Sequence, residues 1–270
     1  MFFGRVLVAI STFTLSFFFF PSEFVLKAAS SSIPDEELNP AVFLAAKEAS
    51  AEEELPFKYD YLKDIKKSWQ QIYSKDGIYV FESNHGDESP MAFRGIGVLK
   101  ASVYSLLTAI REVESSKEWT PNLVSKKLLK LQNHADGITY NHNRLPWPVT
   151  DRDTVMRTVL TIDQSLDKNT KFINIVSKSV EMPEAPVYTD KIRGVLHSSH
   201  LIFFPLSEDT TYVDLDAHFD PKGMIPTWVV NFVQRDWPFK FLKSLEKRAQ
   251  EKPIKDPHPE FIKAVKALEK

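Results

Sequence analysis

The 270-residue chain has no cysteine. That excludes disulfides, thiolate metal sites and a cysteine nucleophile. It also excludes a lipid anchor of the kind carried on an N-terminal cysteine. Glycine is scarce, at 8 residues, and neither GxGxxG nor a GxxxxGK loop followed by Ser or Thr occurs, which argues against a Gly-rich phosphate cradle. No charge of one sign dominates: 34 Lys and Arg stand against 36 Asp and Glu, for a net charge of −2. A nucleic-acid partner calls for a basic stripe and is not expected. GxSxG and HExxH are missing as well. What remains, 43% hydrophobic and 26% charged residues, is the composition of a globular protein rather than a disordered one.

Eight of the 20 Phe fall in the first 24 residues. A short segment with one positive charge, Met1 to Arg5, precedes an uncharged run from Val6 to Phe20. As a helix this run reaches roughly 22 Å at about 1.5 Å per residue, short of a ~30 Å hydrocarbon core. A secretory signal over residues 1–29 fits better than a spanning helix. Ala28, Ala29 and Ser30 supply small residues for cleavage, while Lys27 spoils the A-x-A pattern, so an uncleaved anchor is the alternative. Export without cysteine suits a bacterial periplasm or a similar space, and the expected location is periplasmic or secreted.

Residues 30–58 are acidic, rich in Ala and Glu, and punctuated by Pro34, Pro40 and Pro56; they read as a linker with one helix around Ala41 to Glu53. Tyr61, Ile65, Trp69 and Ile72 recur at helical spacing, and Lys75-Asp76-Gly77 ends that helix. Ile78 to Ser83 and Met91 to Lys100 read as a hairpin around the turn Asn84 to Pro90. Ser102 to Lys117 is helical, stopped by Trp119-Thr120-Pro121. Extended segments follow at Leu128–Asn133, Gly137–Asn143, Asp153–Ile162, Phe172–Val180, Lys191–Phe204 and Thr211–Phe219. A long helix spans Thr227 to Ala249, and residues 251–270 hold a short tail helix. Strands run together instead of alternating with helices, which predicts an α+β fold with an antiparallel sheet. So many strands curl, and the long final helix is the element large enough to cover the concave side.

Four stretches in this order resemble START (StAR-related lipid-transfer) domains, and the chain is similar to an exported bacterial member. They are Pro146-Trp147-Pro148 leading to Asp151-Arg152-Asp153-Thr154-Val155, then Ile192-Arg193-Gly194 through Phe204-Pro205-Leu206, then the strand Thr211 to Phe219 ending in Asp220-Pro221-Lys222-Gly223-Met224-Ile225-Pro226, and last the amphipathic helix after that Pro. The resemblance covers residues 59–250. It implies a helix-grip fold, in which a curved antiparallel sheet wraps a long C-terminal helix around an internal apolar cavity. It also implies a non-catalytic protein that binds one hydrophobic lipid, such as a sterol or phospholipid, and carries it between membranes as a monomer without a cofactor. A lipid-sensing or storage protein, or an enzyme acting on a hydrophobic substrate in the same cavity, are the alternatives.

Sterol carriers of this family often place an acidic residue and an arginine in the cavity; by the resemblance those positions are Asn141 and Thr158 here, both uncharged. Recognition by neutral hydrogen bonds follows as the expectation. The resemblance puts Thr154, Met156, Thr158 and Leu160 on the cavity side, since strand faces alternate. On the last helix Val230, Val233, Trp237, Phe241 and Leu245 share one face and complete the expected lining. Trp228, Phe232 and Phe239 point the other way, near Lys240 and Lys243, and are candidates for transient contact with a membrane surface. Pro238 should kink or split this helix. Asp214, Asp216 and His218 share a strand face and could in principle hold an ion; the plainer reading is the solvated side of the last strand, and no metal site is expected. Arg152, Asp153 and Arg193 read as structural, with the arginines paired to carboxylates. Lys66-Lys67 and Lys126-Lys127 read as charge pairs on solvated faces.

Overall fold

Asp76 and Gly77 both have positive φ, 48° and 73°, the pair of left-handed residues that a two-residue type I′ hairpin turn demands. They join β1 (Gln70–Lys75) to β2 (Ile78–Ser83), with Lys75 opposite Ile78. The helical spacing of Trp69 and Ile72 therefore misleads over 70–75. An Asp-Gly turn beside a strand pulls these residues into the sheet, and a bulge between Gln71 and Tyr73 absorbs the irregular pattern. The computed structural model describes residues 69–83, 90–164 and 171–251. The chain divides into compact units at residues 1–37 and 38–270, and everything described lies in the second. The expected signal segment, acidic linker and tail helix lie outside the described residues. No helix among the described residues is long and apolar enough to cross a membrane.

β3 (Ala92–Leu99) pairs with β2. Helix α1 (Val103–Arg111) opens at Ser102, whose hydroxyl accepts from the Ser105 amide, a standard N-cap. It buries Val103, Leu106 and Leu107, then yields to the single turn α2 (Ser116–Trp119). Strands β4 (Leu123–Asn133), β5 (Asp136–Asn143), β6 (Arg152–Gln164), β7 (Lys171–Ser179), β8 (Ile192–Arg193), β9 (Val195–Pro205) and β10 (Thr211–Asp220) follow. β4 begins five residues before the expected Leu128. The expected strand Lys191–Phe204 is broken at Gly194, where a Cβ would lie 2.6 Å from the Phe219 ring. The short β8 pairs parallel with β6 before the chain crosses to pair as β9 with β10 and β7. Helices α3 (Thr227–Gln234) and α4 (Trp237–Gln250) end the described chain. The single helix expected here is split, as Pro238 requires. This proline sits in the first turn of α4, where its missing N–H costs nothing.

Sheet order is β1-β2-β3-β10-β9-β7-β6-β5-β4, antiparallel apart from β8 on β6. β2 and β4 stand seven strand spacings apart in this order, about 34 Å on a flat sheet. Yet α4 packs on β2 and β3, α2 packs on β4, and α2 touches α4. Packed helix axes lie only ~10 Å apart, so the sheet bends around the helices. Its helix-facing side holds the main core. Ile78, Val80, Leu99, Ile173, Ile175, Leu201, Phe203, Val213 and Leu215 meet Leu106, Leu107, Leu242 and Leu245.

The opposite side of β2, β3 and β10 is also buried. Tyr79, Phe81, Ile96 and Tyr212 cluster there. Asp214 and Asp216 are buried with them, so the last strand has no solvated face at these positions. Asp214 accepts from Arg94 Nε at 2.7 Å, and Asp216 lies 3.2 Å from His200 Nδ1. Asp214 serves an ion pair inside the protein and Asp216 a contact with the His200 ring. Among the described residues no cluster of three metal-binding side chains occurs.

Candidate ligand-binding face

Strand register decides which side chains turn toward the helices. Ile173 and Ile175 belong to the main core, and they pair with Ile162 and Leu160. Alternation then puts Thr154, Met156, Thr158, Leu160 and Ile162 of β6 on the helix-facing side. Thr154, Met156 and Thr158 pair with Asn141, Thr139 and Gly137 of β5. Those three in turn oppose Lys126, Leu128 and Leu131 of β4. The expected cavity residues Asn141, Met156, Thr158 and Leu160 thus share one continuous surface.

Closure of that surface is uneven. Over β2, β3, β10 and β9 the helices fill it, and Leu201, Phe203, Val213 and Leu215 are buried. Gly95 marks the tightest approach: a Cβ there would stand 2.9 Å from Pro238 Cβ. Over β4 to β6 the apolar side chains lack cover. Leu128, Leu131 and Ile162 are 47%, 50% and 39% exposed, while Leu160, Met156 and Thr158 are half-buried. Apolar side chains on the inner side of a bent sheet, left without a packing partner, have area that an apolar ligand can cover.

The polar groups on this surface are few. Asn141 is buried, and its Nδ2 donates to Thr139 Oγ1 at 3.1 Å. The Thr158 and Ser177 hydroxyls bond each other at 2.9 Å. Lys126 was expected on a solvated face; it lies instead beside Asn141, because β4 starts early and its neighbour Lys127 takes the outward position. Burial lowers the Lys126 ammonium from 10.5 to about 8, yet the side chain keeps some accessible surface. Thr154 takes the inward position that the resemblance implies, and Thr139 and Ile162 join it on this side without any signal in the spacing or the resemblance.

On the helices the expected lining divides. Val230 is buried and Val233 is exposed. Trp237 stacks on Phe241 with centroids 5.0 Å apart, and Phe241 meets Trp119 at 5.6 Å. Leu245 is wholly inside the core. The residues expected at a membrane divide too. Trp228 and Phe232 are each 73% exposed. Phe239 is not with them: it is half-buried, its ring edge-on to Tyr73 at 6.4 Å, with Lys75 Nζ 5.2 Å from its centroid. The break before α4 rotates Phe239 away from the α3 face, which a continuous helix would have shared.

Loops at one end of the sheet are pinned from β6. Arg152 is buried and donates to the Pro221 carbonyl at 2.7 Å, the Lys222 carbonyl at 2.9 Å and the Thr150 carbonyl. It therefore holds the β10–α3 loop through backbone oxygens, not through the carboxylate expected; Arg193 is the arginine that takes Asp153, at 2.6 Å. Asp151 accepts from the Leu145 amide and lies 2.8 Å from His142 Nε2. Burial opposes its charge, but these hydrogen bonds prevail and hold its pKa below the usual carboxylate value. Asn231 Oδ1 accepts from the Met91 amide at 2.9 Å and seats α3 on the start of β3.

A bent antiparallel sheet closed by a C-terminal helix is a helix-grip fold. Residues 51–254 match the START domain, and the chain belongs to that family. It is 22% identical to the mouse phosphatidylcholine transfer protein over 67% of this chain and 84% of the relative. The crystal structure of human STARD10 superposes with a TM-score of 0.62 at 19% identity, covering 87% of this chain and 85% of that one. A STAR-related lipid transfer protein from Xanthomonas axonopodis superposes at 0.58 with 25% identity, over 68% and 99%. The solved structures share the fold of this chain.

Proposed function

We propose that the protein takes up a single lipid between the β4–β7 half of the sheet and the helices, and carries it between membranes without chemistry. The observation that carries this reading is the uncovered apolar surface of Leu128, Leu131 and Ile162 on the side of the sheet that elsewhere forms the core. Covering it stabilises a complex by about 25 cal/mol per Å² of apolar area removed from water. The expected lining residues Met156, Thr158 and Leu160 continue that surface, and the relatives' lipid-transfer names agree with it.

Docking to a membrane belongs to the same reading. Of the eleven exposed large hydrophobics among the described residues, seven lie on α3 or on the loops at its end of the sheet: Trp147, Val187, Tyr188, Met224, Trp228, Phe232 and Val233. Such clustering marks an interaction surface. With residues 1–29 as an export signal, the place of action is the periplasm or the outside of the cell; N-terminal sequencing of the mature protein tests that part. Native mass spectrometry of the full chain, followed by organic extraction, tests the carrier. A one-to-one adduct of lipid mass is expected. A bare protein mass that does not shift after incubation with mixed lipid vesicles would overturn the reading.

A further inference from the structure

Among the described residues the helix-facing side of β4–β7 carries three ionisable side chains: Arg152, whose guanidinium is spent on backbone carbonyls, Lys171, which is exposed at the far end of β7, and Lys126. Its strand neighbours on that side are Asn141 and, beyond it, Thr154, both buried. Desolvation alone acts on its ammonium, and no carboxylate offsets it. Burying an unpaired cation costs stability, so packing gives no reason for a lysine here. A second donor on the same side is also unanswered: Trp119 Nε1, in the turn that packs on β4, is buried without a hydrogen-bond partner. The neighbouring polar groups are neutral: Asn141, opposite Lys126, donates through Nδ2 to Thr139, and the Thr158 and Ser177 hydroxyls bond each other. A cation faces this surface, and no carboxylate acts on it. Its complement is an anionic oxygen.

We infer that Lys126 receives the anionic headgroup of the bound lipid, through phosphate or carboxylate oxygens. The acyl chain then runs along Leu128, Leu131, Leu160 and Ile162 toward the β4–β5 turn, which meets β6 where the Leu160 amide donates to the Ala135 carbonyl. This inference rests on the lipid-binding reading and replaces the neutral recognition expected from Asn141 and Thr158.

The test uses delipidated full-length protein and matched probes: oleate against methyl oleate, and dioleoylphosphatidylglycerol against dioleoylglycerol. Wild-type protein should prefer each anionic probe by about tenfold or more, the worth of one charge-assisted hydrogen bond. Lys126→Met and Lys126→Gln should lose that preference while keeping their affinity for the uncharged probes, and Lys126→Arg should retain most of it. A loss confined to phosphatidylglycerol assigns the site to phosphate, and a loss confined to oleate assigns it to carboxylate; both support the inference. Equal binding of charged and uncharged probes by wild type, or an equal loss on both in Lys126→Gln, would overturn it and leave the carrier reading standing. Failure of wild type to bind any of the four probes would overturn both.

Discussion

Arg94 and Asp214 form a buried pair on the side of the sheet away from the helices. Burial works against the Arg94 charge, and Asp214 more than restores it, so the guanidinium is held more basic than usual. Neither partner can be lost alone. Asp214→Asn should lower the unfolding free energy by about 3–5 kcal/mol in urea titrations, because it strands a buried cation. Replacing both, as Arg94→Met with Asp214→Leu, should recover most of that loss. Lys126 is the opposite case, a cation with no partner. Its folded pKa of about 8 lies below the 10.5 of the free side chain. The unfolded chain therefore binds more protons between these values, and stability must rise with pH across that window. Below pH 8 the cost is present in full. Among the described residues of β4–β7, Asp136, Asp153 and Asp163 all turn to the other side of the sheet and do not face Lys126. Ligand-free wild type should gain stability from pH 8 to 10.5 relative to Lys126→Met, and at pH 7 Lys126→Met should melt at the higher temperature. Identical pH profiles would mean that the ammonium is hydrated. A residue that costs stability where it serves binding is the usual trade at a functional site.

At the scale of elements, contact between α4 and β3 sets the closed half of the molecule. Gly95 has room for no side chain, with Pro238 Cβ at 2.9 Å and Leu242 Cδ1 at 3.1 Å from a built Cβ. Gly95→Ala should destabilise by about 1–3 kcal/mol through overpacking, read by thermal unfolding, whereas Gly137→Ala on β5, with nothing nearer than 3.5 Å, should cost less. Much of this layout was legible in the sequence. Alternation and turn residues located β2, β3, β5, β6, β7 and β10 within a few positions, and Pro238 announced the break before α4. The errors have physical causes. The Asp-Gly turn overrode helical spacing at 70–75. The acidic alternation of β10 looked solvated because the partner of Asp214, Arg94, lies 120 residues away on β3, and because cross-strand pairing with His200 of β9 is not visible in the spacing. Lys126-Lys127 looked like a surface pair because β4 was begun too late; once a strand runs through two adjacent lysines, one of them must face inward.

Among the described residues, one half of the sheet is packed shut and the other has apolar surface to spare, and the exposed aromatic residues lie at the end where α3 and three loops meet. The proposed carrier needs both: an interior that a lipid completes and an exterior that a bilayer accepts. The proposed roles fall on different residues, so they separate experimentally. Trp228 and Phe232 are largely exposed, and each is worth roughly 1.5–3 kcal/mol when its side chain leaves water. The double variant Trp228→Ala with Phe232→Ala should keep the wild-type fold by circular dichroism and the wild-type lipid occupancy by mass spectrometry. Its partition onto vesicles should fall by about tenfold or more, and the rate of lipid transfer between donor and acceptor vesicles should fall with it. Phe239→Ala should behave differently, losing stability through the Tyr73 contact with no specific defect in vesicle binding. Unchanged vesicle binding and transfer in the folded double variant would show that α3 is not the docking element, and would move that role to Trp147 and Val187 on the neighbouring loops.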